Sequence, residues 1–216
     1  MTKASDMEAT LARADPALAR AMDAVIARQG PVHIAPSHTP PFEALVRAVI
    51  YQSISSKAAA AIFSRLKHIL NDAITPAKIL EASSSVLDIG LSNAKANAIR
   101  NLAAWFTANR KMAAALSGLA DDDIVQALTG IPGIGAWTVN VFLIFNLGRL
   151  DVLPAGDSGI RRGVQLIYGL DEIASATTVR EKAELWRPYR SVASMYVWQA
   201  MKLKLGPSDL KKGSKQ

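Results

Sequence analysis

Apolar residues along this chain recur three and four positions apart, the spacing of one helical face. After Asp15-Pro16 come Leu18, Met22, Val25 and Ile26, and Gly30-Pro31 closes that run. Phe42, Leu45, Val46, Val49 and Ile50 form a second stripe, interrupted by the polar stretch from Tyr51 to Ser55. Ser55 or Ser56 then caps a helix with Ile62, Leu66, Ile69 and Leu70 inward. Thr75-Pro76 and Ser92 are further helix starts, a capping side chain placed before helical residues. Ile99, Leu102, Ala103 and Phe106 line the helix after Ser92. Residues 1–14 read as frayed or helical, and helices are expected near 157–168, 178–187 and 189–204. Residues 31–41 hold four prolines with His33 and His38, an extended loop whose histidines lack a partner at metal-ligand spacing. Alanine is abundant and the period-two alternation of a strand is absent, so the pattern predicts an all-α fold.

The chain centres on Gly130-Ile131-Pro132-Gly133-Ile134-Gly135-Ala136-Trp137-Thr138. An acid-led segment, Asp121-Asp122-Asp123, precedes it, and an apolar segment from Val139 to Leu147 follows. This predicts helix, tight glycine hairpin, helix. Pro132 restricts φ, and Gly133 and Gly135 permit angles or close approaches that a side chain forbids. The second helix then begins with outward-facing amides, which suit a phosphate.

Composition narrows the partners. The chain has 216 residues, a net charge of +7 and half its residues hydrophobic. A basic balance suits a polyanion such as nucleic acid. The absence of cysteine excludes disulfides, a thiolate nucleophile and a cysteine-held iron–sulfur cluster. No apolar run reaches the roughly 20 residues of a membrane span, and Met1-Thr2-Lys3-Ala4-Ser5-Asp6 lacks the apolar core of a secretory signal. An intracellular location is expected: bacterial cytoplasm and nucleoid, or the nucleus of a eukaryote. The lysine-rich tail, 206–216, is expected to be loose.

The hairpin segment resembles the helix–hairpin–helix of the base-excision DNA glycosylases. The continuation from Gly148 through Arg149, Asp151, Pro154, Asp157, Gly159, Arg161 and Arg162 is similar to the alkylbase branch, DNA-3-methyladenine glycosylase II. The run from Phe42 through Gln52, Ser53, Ile54 and Ser55 to Ala59 is similar to the same branch. The resemblance extends from about Phe42 to about Trp198. It implies two helical lobes with a DNA-binding cleft, one lobe over about 42–148 and the other over about 1–30 plus 149–205. Only 41 residues precede Phe42, too few for the extra N-terminal β domain of some relatives, so the compact form is expected. It further implies a monomer acting on double-stranded DNA.

Read locally, Asp157 is an N-cap, with Arg161 one turn on. The resemblance places the family's catalytic aspartate on it. Both roles are compatible, since a helix N-terminus keeps a carboxylate ionised. Asp151 is the alternative acid, read as structural. Trp137 reads locally as core packing. The resemblance places it where bifunctional relatives of the endonuclease III type carry a nucleophilic lysine, so it implies a monofunctional, water-using enzyme. Trp198 matches a second aromatic of the base pocket. Two indole faces suit the cationic ring of an N3- or N7-alkylated purine. Val141 stands where the best-known bacterial member has tyrosine, which implies a more open pocket.

Gln52, Ser53 and Ile54 occupy the loop that in the family fills the gap left by the flipped nucleotide. Ser53 is small for that purpose, leaving Gln52 or Ile54; the alternative is a plain helix–helix turn. The hairpin residues Gly133, Ile134 and Gly135 correspond to the phosphate anchor. The carbonyls of Thr129, Ile131 and Gly133 or Ile134 correspond to the ligands of a monovalent cation, Na+ or K+, with no other cofactor expected. Arg161, Arg162, Arg187, Arg190, Lys202 and Lys204 supply positive charge, much of it ordinary solvated charge. The activity implied is hydrolytic release of alkylated bases such as 3-methyladenine and 7-methylguanine in base excision repair. The rivals are a glycosylase for neutral lesions such as hypoxanthine and a catalytically silent DNA-binding module.

Overall fold

The computed structural model describes residues 4–83 and 89–210. The chain forms two compact units, Met1–Ala35 with Gly148–Gln216, and Pro36–Leu147 between them. Among the described residues every regular element is helical, and no helix is long and apolar enough to cross a membrane.

The first unit opens with α1 (Ala4–Ala14) and α2 (Pro16–Gln29). The start of α2 follows from its local sequence. Asp15 Oδ1 accepts the Ala17 and Leu18 amides, each at 3.0 Å, two of the donors a helix start leaves without an intrahelical partner. Tertiary structure gives the same carboxylate a second role, in which Oδ2 accepts Trp186 Nε1 at 2.9 Å and the Tyr168 hydroxyl. Burial, reinforced by that carboxylate, pushes the Tyr168 phenol well above its ordinary range.

The second unit runs α3 (Pro41–Tyr51), α4 (Ser56–Ile69), α5 (Pro76–Glu81), α6 (Asn93–Ala108), α7 (Arg110–Ala115), α8 (Asp121–Thr129) and α9 (Ala136–Phe145). Ser55, Thr75 and Ser92 each accept a first-turn amide of the helix they precede. The short α7 is not expected from the sequence; it buries no residue, so no apolar stripe announces it. The core is drawn from the predicted faces: Leu45, Val46, Val49, Leu66, Ile99 and Leu102 are fully buried. Phe42 and Phe106 meet edge to face, 5.2 Å between centroids.

The chain then returns to the first unit with α10 (Ser158–Tyr168), α11 (Ala176–Ala183) and α12 (Arg190–Lys202). The helix expected over 178–187 instead begins at Ala176, where Ser175 caps it, and tightens to a 3-10 turn over Glu184–Trp186. Pro188 excludes a helical Arg187, which lies extended at φ −64°, ψ 141°. The core packs Leu18, Val25, Ile160, Val164, Trp186, Tyr196 and Val197. The expectation of a loose tail is corrected for 206–210. Leu210 is buried in this core, and Asp209 pairs with Arg28 at 2.5 Å. Residues 211–216 of that tail, and residues 1–3, lie outside the described residues.

Candidate functional site

In the second unit the predicted hairpin is present between α8 and α9. Gly133 has φ +91°, and a Cβ on it would lie 2.4 Å from the Ala98 Cβ on α6. Both reasons for glycine hold there. Gly135 is different: its φ is −95°, and a Cβ would meet nothing within 4 Å. The fold does not demand glycine at 135, contrary to the sequence expectation. What its bare backbone provides is access to the N-terminus of α9, which Gly135 leaves without a side-chain cap.

Trp137 lies in the first turn of α9, and Val141 is half-buried one turn further on. The hairpin carbonyls are partly engaged: Ile131 accepts the Ile134 amide at 3.0 Å, and Pro132 accepts Asn101 Nδ2 at 3.1 Å. A carbonyl oxygen has two lone pairs, so Ile131 retains acceptor capacity for a cation.

The turn between α3 and α4 holds the three residues expected to enter DNA. Gln52 does not project away from the protein: its Nε2 donates to Thr138 Oγ1 at 2.7 Å and reaches Gly133 O at 3.5 Å. Its amide is thus engaged by the hairpin and the start of α9. Ser53 is exposed in the left-handed region at φ +54°, and Ile54 is 38% exposed. Lys95, which no sequence motif singles out, donates from Nζ to Ile50 O at 2.9 Å and Gln52 O at 2.6 Å. Burial lowers its pKa.

In the first unit Asp157 is the N-cap of α10, its Oδ1 accepting the Ile160 amide at 2.9 Å. The same oxygen accepts Trp198 Nε1 at 2.8 Å. The structure thus joins two residues that the sequence marks separately and gives Trp198 a role not legible there, that of orienting the carboxylate. Gly159 makes room for the pair. A Cβ there would lie 3.0 Å from Asp157 Oδ1 and 3.2 Å from Trp198 Cδ1. A glycine two residues past the acid is the only sequence signal of this crowding.

Asp151 sits in a different setting. It accepts Arg190 Nε at 2.7 Å, the Arg190 amide at 3.2 Å and Arg187 Nη1 at 3.2 Å. Two guanidiniums therefore surround it, and it ties the start of α12 to the segment before α10. Arg161 donates its Nε to Ala174 O at 2.6 Å, so Arg161, Arg187 and Arg190 all serve internal bonds. Arg162, Lys202 and Lys204 are exposed.

The glycine hairpin and Asp157 both lie within a sequence pattern shared with known proteins. The chain belongs to the HhH-GPD superfamily of base excision DNA repair proteins, whose pattern covers residues 46–188. It is similar to the DNA-3-methyladenine glycosylase 1 of Schizosaccharomyces pombe, with 36% identity over 76% of this chain and 73% of the relative. Among solved structures it is similar to the S. pombe 3-methyladenine DNA glycosylase Mag1 in complex with abasic DNA. The TM-score there is 0.82 at 31% identity, covering 91% of this chain and 97% of that one. A DNA-3-methyladenine glycosidase from Bacillus halodurans gives a TM-score of 0.72 at 33% identity over 88% of this chain and 87% of the other.

Proposed function

We propose that this protein is a DNA glycosylase that hydrolyses the N-glycosidic bond of alkylated bases such as 3-methyladenine and 7-methylguanine. The observation that carries this reading is the Asp157 carboxylate, held by the Ile160 amide and the Trp198 indole on one oxygen. Breaking the bond between C1′ and the base nitrogen leaves an oxocarbenium-like sugar. A fixed carboxylate beside it stabilises the developing positive charge and orients the attacking water. Water oxygen bonds to C1′, its proton is lost, and the base keeps the bonding electron pair. An N3- or N7-alkylated purine is cationic before cleavage and leaves neutral, so no strong general acid is required. An indole face attracts a cationic ring more strongly than a neutral one, and Trp137 and Trp198 each carry such a face.

The DNA backbone is held at the start of α9, where Gly135 supplies no side-chain cap. The carbonyls of Thr129, Ile131 and Ile134 would hold a monovalent cation there, adding positive charge at the phosphate. With Gln52 committed to the hairpin, Ile54 is the apolar residue that enters the stack. The name shared by the relatives supports alkylated bases over neutral lesions.

Base release from methylated duplex DNA tests the proposal. Release of 3-methyladenine faster than hypoxanthine from matched substrates is the expected result. Preferred release of hypoxanthine would replace the substrate class. Binding without any release would leave a DNA-binding module.

A further inference from the structure

We propose that one face of α6 locks the 52–55 turn to the glycine hairpin, with Lys95 and Gln52 as the positioning residues that set where Ile54 enters the duplex. This rests on the glycosylase reading above. Lys95, Ala98 and Asn101 are spaced three apart on α6 and share a face. Lys95 Nζ binds Ile50 O at 2.9 Å and Gln52 O at 2.6 Å, carbonyls at the end of α3 that the helix itself leaves without partners. An ammonium there also meets the negative end of the helix dipole. Ala98 packs so close to Gly133 that no side chain fits between them. Asn101 Nδ2 holds Pro132 O at 3.1 Å. Gln52 closes the circuit by donating to Thr138 Oγ1 at 2.7 Å. Each link joins the turn, α6 and the hairpin pairwise, so the turn cannot move without the hairpin.

The turn itself needs that support. Ser53 is a non-glycine residue at φ +54°, a conformation costly for a residue with a side chain. It lies between two anchored neighbours, Gln52 and the Ser55 cap of α4. The phosphate contacts of the hairpin therefore fix the register of Ile54 along the strand. Lys95 acts through carbonyls, not through DNA, and this distinguishes it from an ordinary basic contact. Burial already lowers its pKa, as expected for an ammonium turned into the protein.

The test compares Lys95→Met, Thr138→Val and the double variant with the parent. Thermal unfolding is followed, together with affinity for undamaged duplex at several salt concentrations. Extrusion is followed with 2-aminopurine beside an abasic site, and single-turnover release with methylated DNA. Each single change should lower extrusion and release roughly tenfold, the scale of losing a charge-assisted or well-formed hydrogen bond. Affinity for undamaged duplex and its salt slope should stay at parent values. The double variant should be less impaired than the product of the singles, because both act on one element. Lys95→Arg should restore most of the loss.

A salt slope reduced by about one in Lys95→Met would show a direct phosphate contact and overturn the inference. Parent-level extrusion in both single variants would overturn it equally. If Lys95→Met does not fold, Lys95→Arg and Thr138→Val carry the same comparison. If the parent extrudes at an abasic site yet releases no base, the glycosylase reading fails while the coupling is still read from fluorescence.

Discussion

Replacing Asp157 by asparagine isolates charge from structure at the proposed centre. Both donors converge on one oxygen, Ile160 N at 2.9 Å and Trp198 Nε1 at 2.8 Å. An asparagine amide oxygen can accept both, and asparagine caps helices as well as aspartate does. The lost carboxylate–dipole interaction costs about 0.3–1 kcal/mol of stability. For a chain of this length that lowers Tm by less than about 4 °C. The catalytic cost is larger. A unit charge roughly 4 Å from an oxocarbenium centre, at an effective dielectric near 20, is worth about 4 kcal/mol. That corresponds to about 10²–10³ in rate. Single-turnover release of 3-methyladenine from methylated duplex, beside DNA affinity and thermal unfolding, measures all three. The residual rate should be higher for cationic than for neutral bases, which leave less readily unaided. Asp151→Asn should instead lower Tm, by loosening Arg187 and Arg190, with a far smaller effect on rate. Parent-rate release by a folded, DNA-binding Asp157→Asn protein would refute the mechanism and return Asp157 to the role of a helix cap.

Further expectations concern its neighbours. Trp198→Phe keeps an aromatic face and removes the N–H that holds Asp157 Oδ1, so release should fall about 10- to 100-fold with little change in binding. Gly133→Ala places a methyl 2.4 Å from Ala98 Cβ at a φ of +91°. Strain and overpacking together should cost about 2–4 kcal/mol, seen as a lower Tm and weakened binding to damaged and undamaged DNA alike. Borohydride treatment during turnover should trap no covalent protein–DNA adduct, because the indole of Trp137 cannot form a Schiff base; a trapped adduct would identify another amine as nucleophile. The Tyr168 phenol has a pKa raised in the folded state, so its contribution to stability is complete below the ordinary tyrosine value, near 10, and is lost as pH rises above it. Tyr168→Phe should therefore flatten the alkaline fall in Tm.

Local sequence determined much of this protein. Asp15-Pro16, Ser55, Thr75 and Ser92 start helices because a short polar side chain satisfies amides two or three residues on, whatever lies beyond. The apolar stripes of α3 and α6 became the buried faces because a helical period leaves only one face to bury. The hairpin and the aspartate at the start of α10 were legible for the same reason: backbone angle and cap are properties of consecutive residues. Tertiary structure decided what those side chains bind. Trp198 meets Asp157 across 41 residues, Lys95 holds Gln52 O across 43, and Trp186 reaches Asp15 across 171. No local rule reports such pairs, because they depend on which helices pack together. Gly133 and Gly135 look alike in sequence, yet only Gly133 is pressed against α6, while Gly135 faces open space. The pattern of residues along the chain specifies the elements and the chemistry they carry. Which donor meets which acceptor is set by helix packing, since a side chain's partners are fixed by its surroundings in space.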